Sequence, residues 1–420
     1  MNNDAECQQV IVRVLPETLR AAIGNLDARP AGVLYARPLT LWSGGSLVMV
    51  LDRFGVDSSA DAGATLATLR RSLRQPSDRP AATAQAAPPL ETLGRHLELL
   101  LLGDGTLWAT CWLRSGLPAP LTTVKTIPGR YTITCSSPSK AASPIQLPRT
   151  SRALGSVRGL AAWEDMHVAI VGCGRTGSII ADAMCAQGLR RLTLVDDDVL
   201  DSGNLDGMAL VSSRAVGRPK VHALGAALCH RFPEIAVSAI ADQFPSERSL
   251  AAVASADAIV TAVDRDRPRL FAGTVSRQFL MMHLDVGSGP DDRGGFAADI
   301  RLTSPDGPCL LCLGGVADPS DSRTSIPGSS SRAVNAAASH LACQALMNAV
   351  ASGRARSAWW RLHAGTREPT LTTEVLTPKD RDPRCPWCVR AETEYANTFD
   401  PGPAGKESIS ATMRPFRSFQ

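Results

Sequence analysis

An apolar run, His167-Val168-Ala169-Ile170-Val171, leads straight into Gly172-Cys173-Gly174-Arg175-Thr176-Gly177 and then into residues 178–187, which have helical spacing. A strand that ends in closely spaced glycines and restarts as a helix must turn sharply. The glycines let backbone N–H groups at the helix N-terminus approach a phosphate. Alone, this pattern says nucleotide and no more. Far downstream stand two Cys-x-x-Cys pairs, Cys309/Cys312 and Cys385/Cys388, with the spacing of a tetrahedral four-cysteine zinc site. A dehydrogenase built on the same turn does not ordinarily carry such clamps in this order.

The 420 residues suffice for two domains, each with its own core. The net charge of +4 comes from interspersed acids and bases, with no basic stripe of the kind that binds nucleic acid, so no nucleic-acid partner is expected. Residues 1–7 lack the basic-then-apolar order of a secretory signal, and no apolar run approaches a membrane span. The expectation is a cytoplasmic chain with no membrane partner. Its 11 cysteines are then reduced, which favours metal over disulfide at the paired sites. Single cysteines such as Cys229 read as small buried apolar side chains.

The fold class expected is α/β, a doubly wound Rossmann-like parallel sheet with a four-cysteine zinc site, preceded by a separate α+β domain. Residues 1–135 form that first domain, with strand-like segments at 9–14, 32–34, 46–51, 97–102, 106–113 and 130–135, and a flexible excursion at 75–89. Residues 136–150, rich in Ser and Pro, read as a linker. From 167 to 302 strand and helix alternate, which predicts a ligand at the carboxyl ends of the strands. Residues 332–352 read as a long Ala-rich helix, 359–376 as a hairpin, and 391–420 as a polar, disordered tail.

Three positions past the glycines carry candidate chemistry. Asp196 ends the second strand about twenty residues on, where an acid can bind ribose hydroxyls; the alternative for Asp196-Asp197-Asp198 is a solvated loop. Gly217-Arg218-Pro219-Lys220 places a lysine in the first turn of a helix, which the helix dipole disfavours unless an anion such as a triphosphate is near; the alternative is a surface lysine. Ala262-Val263-Asp264 ends a strand at the same sheet edge, where a carboxylate can hold Mg²⁺ or cap the next helix.

The ordered set V-A-I-V-G-C-G-R-T-G-S, R-L-T-L-V-D-D-D, S-G-N-L-D, V-G-R-P-K and T-A-V-D-R-D-R-P-R, with C-L-L-C and C-P-W-C, resembles the ThiF/MoeB/HesA superfamily of ubiquitin-activating-like enzymes over residues 151–390. The resemblance implies a homodimer that binds ATP·Mg²⁺ and the tail of a ubiquitin-like protein. It adenylates the tail's C-terminal glycine, for transfer to a conjugating-enzyme partner. Carried over, Gly172, Gly174 and Gly177 form the phosphate turn, and Asp196 and Asp198 lie on the nucleotide. Asn204 and Lys220 contact phosphates, Asp264 holds magnesium, and Arg269 matches a family arginine one turn on. Lys220, Asp264 and Arg269 are the implied catalytic set, and Cys309, Cys312, Cys385 and Cys388 the structural zinc ligands.

The sequence also departs from the family pattern. Where the family has N-L-N-R-Q, this chain has Asn204-Leu205-Asp206-Gly207-Met208, so an arginine is missing. Arg214, Arg218 or Arg175 are candidates to replace it, as are Arg152 or Arg158 of a partner subunit. No cysteine stands in residues 313–331, where family members that pass through a thioester carry one. Cys343 and Cys173 read as packing. The enzyme therefore stops at the adenylate, or hands over directly to a partner cysteine, or a serine in that loop replaces a native cysteine. Residues 14–20 and 31–35 resemble the opening of the JAB/MPN isopeptidase fold without its zinc histidines, since His96 is the domain's only histidine; a peptide-binding domain is the alternative. Two rival functions are a peptide-modifying adenylyltransferase of microcin or azoline type and a degenerate ThiF-like scaffold.

Overall fold

The computed structural model describes residues 3–27, 33–36, 38–43, 45–55, 65–71, 94–101, 107–126, 132–135, 162–291, 294–314, 316, 331–352, 356–365, 368–377, 381–385 and 388. The expected excursion at 75–89, linker, polar tail and Arg152 and Arg158 lie outside these, as does most of 313–331.

Contacts divide the described elements into two compact units. In the first, β1 (Gln9–Val14) is followed by α1 (Pro16–Asp27), β2 (Val33–Ala36), β3 (Leu39–Ser43) and β4 (Ser46–Leu51). Then come β5 (Thr65–Arg71), β6 (Arg95–Leu101), β7 (Leu107–Trp112), β8 (Thr122–Thr126) and β9 (Thr132–Cys135). They form two sheets, β3-β4-β1-β8-β9 and β2-β5-β6-β7. The near-continuous apolar run of β1 suits a strand parallel to both β4 and β8 and buried at every position after its first. Val10, Val12 and Met49 of one sheet share a core with Leu69, Leu97 and Leu99 of the other.

Sequence reading gave no helix at 16–27, yet Pro16 suits its first position and Leu19, Ala22, Ile23 and Leu26 repeat at helical spacing toward that core. It also missed β3, a short strand paired with β4, and further on β5 and β8. The latter two are Thr-rich, so their strand signal lies in β-branching rather than in hydropathy. Buried His96 binds the Thr68 hydroxyl through Nε2 at 2.9 Å, and burial, helped by Arg70, pushes its pKa down to about 4. It is a neutral core histidine.

The second unit opens with β10 (His167–Val171), α2 (Arg175–Ala186), β11 (Arg191–Val195), α3 (Lys220–Arg231), β12 (Ala236–Ile240), α4 (Glu247–Val253) and β13 (Ala258–Thr261). It continues with α5 (Asp266–Gln278), β14 (Met282–Pro290), β15 (Phe296–Thr303), α6 (Leu310–Leu313), α7 (Arg332–Ser352), β16 (Ser357–Ala364) and β17 (Thr370–Leu376). The sheet order is β12-β11-β10-β13-β14-β15-β16-β17. Winding runs outward from β10 through β11 and β12, then returns to β13 on the other side. This places a topological switch at the carboxyl ends of β10 and β13, the position where open α/β sheets bind ligands.

The expected wholly parallel sheet needs correction. Pairing is parallel from β12 to β14 and antiparallel from β14 to β17. The step from β14 to β15 is too short for a crossover helix, so it can only reverse the chain. Among the described residues no helix is long and apolar enough to cross a membrane.

Candidate functional site

The glycine turn lies between β10 and α2, at the switch. Gly172 has φ +91°, and a Cβ there would meet the Ala262 carbonyl oxygen at 2.5 Å. A Cβ on Gly177 would stand 1.9 Å from the Gly172 carbonyl oxygen. These two glycines let helix start, turn and β13 end pack backbone to backbone. Gly174, the N-cap of α2, faces open space: nothing lies within 4 Å of where its Cβ would be. The turn is thus closed behind and open in front, as phosphate binding at a helix N-terminus requires.

Asp196 pins the second loop to this turn. Its Oδ2 accepts the Cys173 N–H at 2.6 Å and its Oδ1 the Asp198 N–H at 2.9 Å. Burial raises its pKa by more than those two bonds lower it. Asp198, exposed, receives Lys220 Nζ at 2.6 Å, while the Lys220 N–H donates to the Asp198 carbonyl at 2.9 Å. Lys220 is 8% exposed as the first residue of α3. Burial pulls its ammonium pKa down, but the Asp198 hydrogen bond and the charges of Asp196 and Asp198 outweigh this, so the group stays charged. Asn204 accepts the Asp201 N–H at 3.1 Å and so shapes the 3-10 turn Ser202–Asn204.

Asp264 is exposed just past β13, on the loop that meets Gly172. Arg269, from α5, is buried and committed inward. Its Nη1 donates to both oxygens of Asp285 at 2.8 and 2.9 Å, and its Nη2 donates to the Val263 carbonyl. Asp285 is wholly buried on β14 and also accepts from Thr261 Oγ1 at 2.6 Å and Arg301 Nη1 at 2.9 Å. Burial pushes its pKa up, and the two guanidiniums bring it below the usual carboxylate range. This network fixes the carbonyl next to Asp264. Sequence reading did not find Asp285, because a lone Asp in an apolar strand carries no motif.

The four paired cysteines converge. Cys309 caps the short helix α6 and Cys312 lies within it, while Cys385 and Cys388 follow β17. Their sulfurs all lie within 4.8 Å of one another, with Sγ–Sγ distances of 3.7 Å (Cys309–Cys312), 3.5 Å (Cys309–Cys385) and 3.7 Å (Cys312–Cys388). Sulfurs at tetrahedral Zn–S bond lengths stand about 3.8 Å apart, so the donor set fits a closed zinc site. Buried Arg277 holds the preceding turn by donating to the Gly307 carbonyl.

The ThiF family pattern matches residues 149–387, more than half of the sequence, and takes in the glycine turn, Asp196, Lys220, Asp264 and three of the four paired cysteines, ending one residue before Cys388. The chain belongs to the ThiF family. Relatives of this ThiF protein include the SAMP-activating enzyme E1 of Haloferax volcanii, 29% identical over 149 residues, covering 35% of this chain and 53% of that one. Another is the molybdopterin-synthase adenylyltransferase of Escherichia coli, 31% identical over 106 residues, covering 25% and 43%. The chain thus spans about half the length of these curated relatives. Among solved structures, E. coli MccB with ATP aligns at 20% identity and a TM-score of 0.47, over 58% of this chain and 75% of that one.

The remaining cysteines of this ThiF domain differ sharply in exposure. Cys173, Cys185 and Cys343 are buried. Burial, with Asp196, pushes the Cys173 thiol well up, and burial takes Cys185 and Cys343 to about 12. Cys229, expected to be buried, is exposed. On α3 the core-facing positions are Val221, Leu224, Gly225 and Leu228, and residue 229 falls off that face.

Proposed function

We propose that this chain is an adenylyltransferase that uses ATP and Mg²⁺ to activate the C-terminal glycine carboxylate of a ubiquitin-like protein. The observation that carries this reading is Lys220, a charged, nearly buried lysine at a helix N-terminus, tied through Asp198 and Asp196 to the glycine turn. Family membership and the names of the relatives support it. In the reaction one carboxylate oxygen of the substrate attacks the α-phosphorus, the α–β P–O bond breaks, and pyrophosphate leaves with the electron pair.

The chain's work is positioning and neutralisation, because the carboxylate is already a nucleophile. Turn amides and Lys220 receive phosphate oxygens, and Asn204 extends that wall. Asp196 retains lone pairs for ribose hydroxyls. Asp264 holds Mg²⁺, which when bound offsets phosphate charge. Arg269 serves as a positioning residue through the Val263 carbonyl. Cys309, Cys312, Cys385 and Cys388 hold a structural zinc with no open coordination position. The test is substrate-dependent ATP–pyrophosphate exchange by the full chain. Lys220→Ala should lower it on the order of 10²-fold, as for loss of one preorganised charge. Exchange driven only by a short precursor peptide would favour a peptide-modifying role, and none with any carboxylate substrate would leave a scaffold.

Transfer beyond the adenylate runs directly to a conjugating-enzyme cysteine. Residues 313–331 contain no thiol, and Cys173, Cys185 and Cys343 are protonated at neutral pH. Incubation with ATP and the ubiquitin-like partner should therefore give no reducing-agent-sensitive adduct on this chain, read on a non-reducing gel. A thiol-sensitive band here, mapping to exposed Cys229 or to a buried thiol, would contradict direct handover. The protein is expected to act as a homodimer.

A further inference from the structure

A steric fact at the loop facing the glycine turn singles out Arg175. A Cβ on Gly207 would meet Arg175 Cγ and Cδ at 2.5 Å and Nε at 2.6 Å. The stem of Arg175 therefore fills the volume that a side chain at 207 would need, and position 207 is where the family pattern carries the arginine missing here. The Arg175 Nη2 reaches both carboxylate oxygens of Asp206, at 3.0 and 3.1 Å.

The surrounding electrostatics say what this cation is for. Arg175 is the first residue of α2, directly after open Gly174, and no acid stands in that helix's first turn. A fixed cation at the positive end of a helix is unfavourable unless an anion joins it. Lys220 repeats the arrangement at the start of α3, with Asp198 in the place of Asp206. The side chains of Asp206 and Asp198 are 70% and 65% exposed, against 37% for the side chain of Arg175 and 10% for that of Lys220. The Asp206 carboxylate is thus open to water, and an ion pair as exposed as Arg175–Asp206 is weak. Of the other arginines weighed from sequence, Arg214 and Arg218 are exposed, and Arg152 and Arg158 lie outside the described residues.

We propose that Arg175 is the phosphate-contacting arginine of this site and that Asp206 is its counter-ion, displaced when the nucleotide's phosphates arrive. The inference rests on the nucleotide reading of the glycine turn. Two walls exchange roles: the arginine comes from the helix start, and the glycine opposite makes room for it.

Calorimetric titration of Mg·ATP and, separately, adenosine into the full-length protein tests this. Arg175→Ala should weaken Mg·ATP by about tenfold or more, the scale of one hydrogen bond between charged groups, and leave adenosine unchanged. Asp206→Asn should tighten Mg·ATP, because it removes the competitor for Arg175; a merely structural ion pair would give the opposite sign. Arg175→Ala combined with Gly207→Arg should recover binding, since the first change removes the very atoms that block the second. Unchanged Mg·ATP binding by Arg175→Ala, equal losses for Mg·ATP and adenosine, or weaker binding by Asp206→Asn would each overturn the assignment. If the wild-type protein binds Mg·ATP and the variants give one of those three results, only this inference falls. If the wild type binds none, the nucleotide reading falls first.

Discussion

Replacing Cys309 with serine, or stripping metal with a strong chelator, is expected to cost the second unit its fold and not merely its chemistry. The cysteines tie the turn after β15 to the segment after β17, and they pack with Leu270, Leu310, Leu313 and Val316 in one small cluster. Nothing else in that cluster is large enough to replace the tie. Structural zinc contributes roughly 10–16 kcal/mol in small zinc-finger peptides, which matches or exceeds the whole stability of a typical domain, about 5–15 kcal/mol. Loss of one ligand forfeits part of that and leaves three thiolates crowded together. Purified protein should contain one zinc per chain by atomic spectroscopy, and Cys309→Ser should melt well below the wild type. Zinc-free protein, or a serine variant that melts normally but no longer binds ATP, would contradict a structural role.

Asp264→Ala is expected to reduce adenylation by a factor on the order of 10³ while the protein melts as before, since loss of a preorganised charged partner costs about 4 kcal/mol in the transition state. Asp264 is exposed, so removing it leaves no buried charge unpaired, and such surface changes usually stay within about 0.5 kcal/mol of stability. The large effect expected at Asp264 rests on what lies beneath it. Val263, its neighbour, is held by Arg269, and Arg269 by a buried carboxylate that also receives Arg301 and Thr261. A carboxylate on a pinned loop keeps its place at the moment of reaction, which water cannot. Pyrophosphate exchange and thermal melting on the same samples read the two halves of this expectation. Near wild-type exchange would shift the metal to Asp266 or Asp198.

The glycine turn, the lysine at 220 and the cysteine clamps were legible because their chemistry dictates spacing. A backbone that must approach another backbone needs Gly172 and Gly177, and a tetrahedral metal needs two short hairpins. The Asp285 network was not legible: nothing along the sequence marks which buried strand acid meets two arginines from other elements. The antiparallel half of the sheet was half visible, as a hairpin at 359–376, but its continuity with the parallel half depends on the tight reversal near Gly294 and Gly295. The exchange between Arg175 and Gly207 left only its negative trace, a missing arginine, because its positive half lies across the crevice, on α2. In the first unit, Thr-rich β5 and β8 hid behind their modest hydropathy.

Isotope transfer tests acyl-adenylation most directly. A ubiquitin-like substrate whose C-terminal glycine carboxylate carries ¹⁸O is incubated with the enzyme, ATP and Mg²⁺, and the adduct is released with hydroxylamine. Attack by that carboxylate on the α-phosphorus places one ¹⁸O in AMP, alongside a C-terminal hydroxamate and unlabelled pyrophosphate, and this is the expected result. Label in inorganic phosphate with ADP as the nucleotide product, or no label in any nucleotide product, would contradict it.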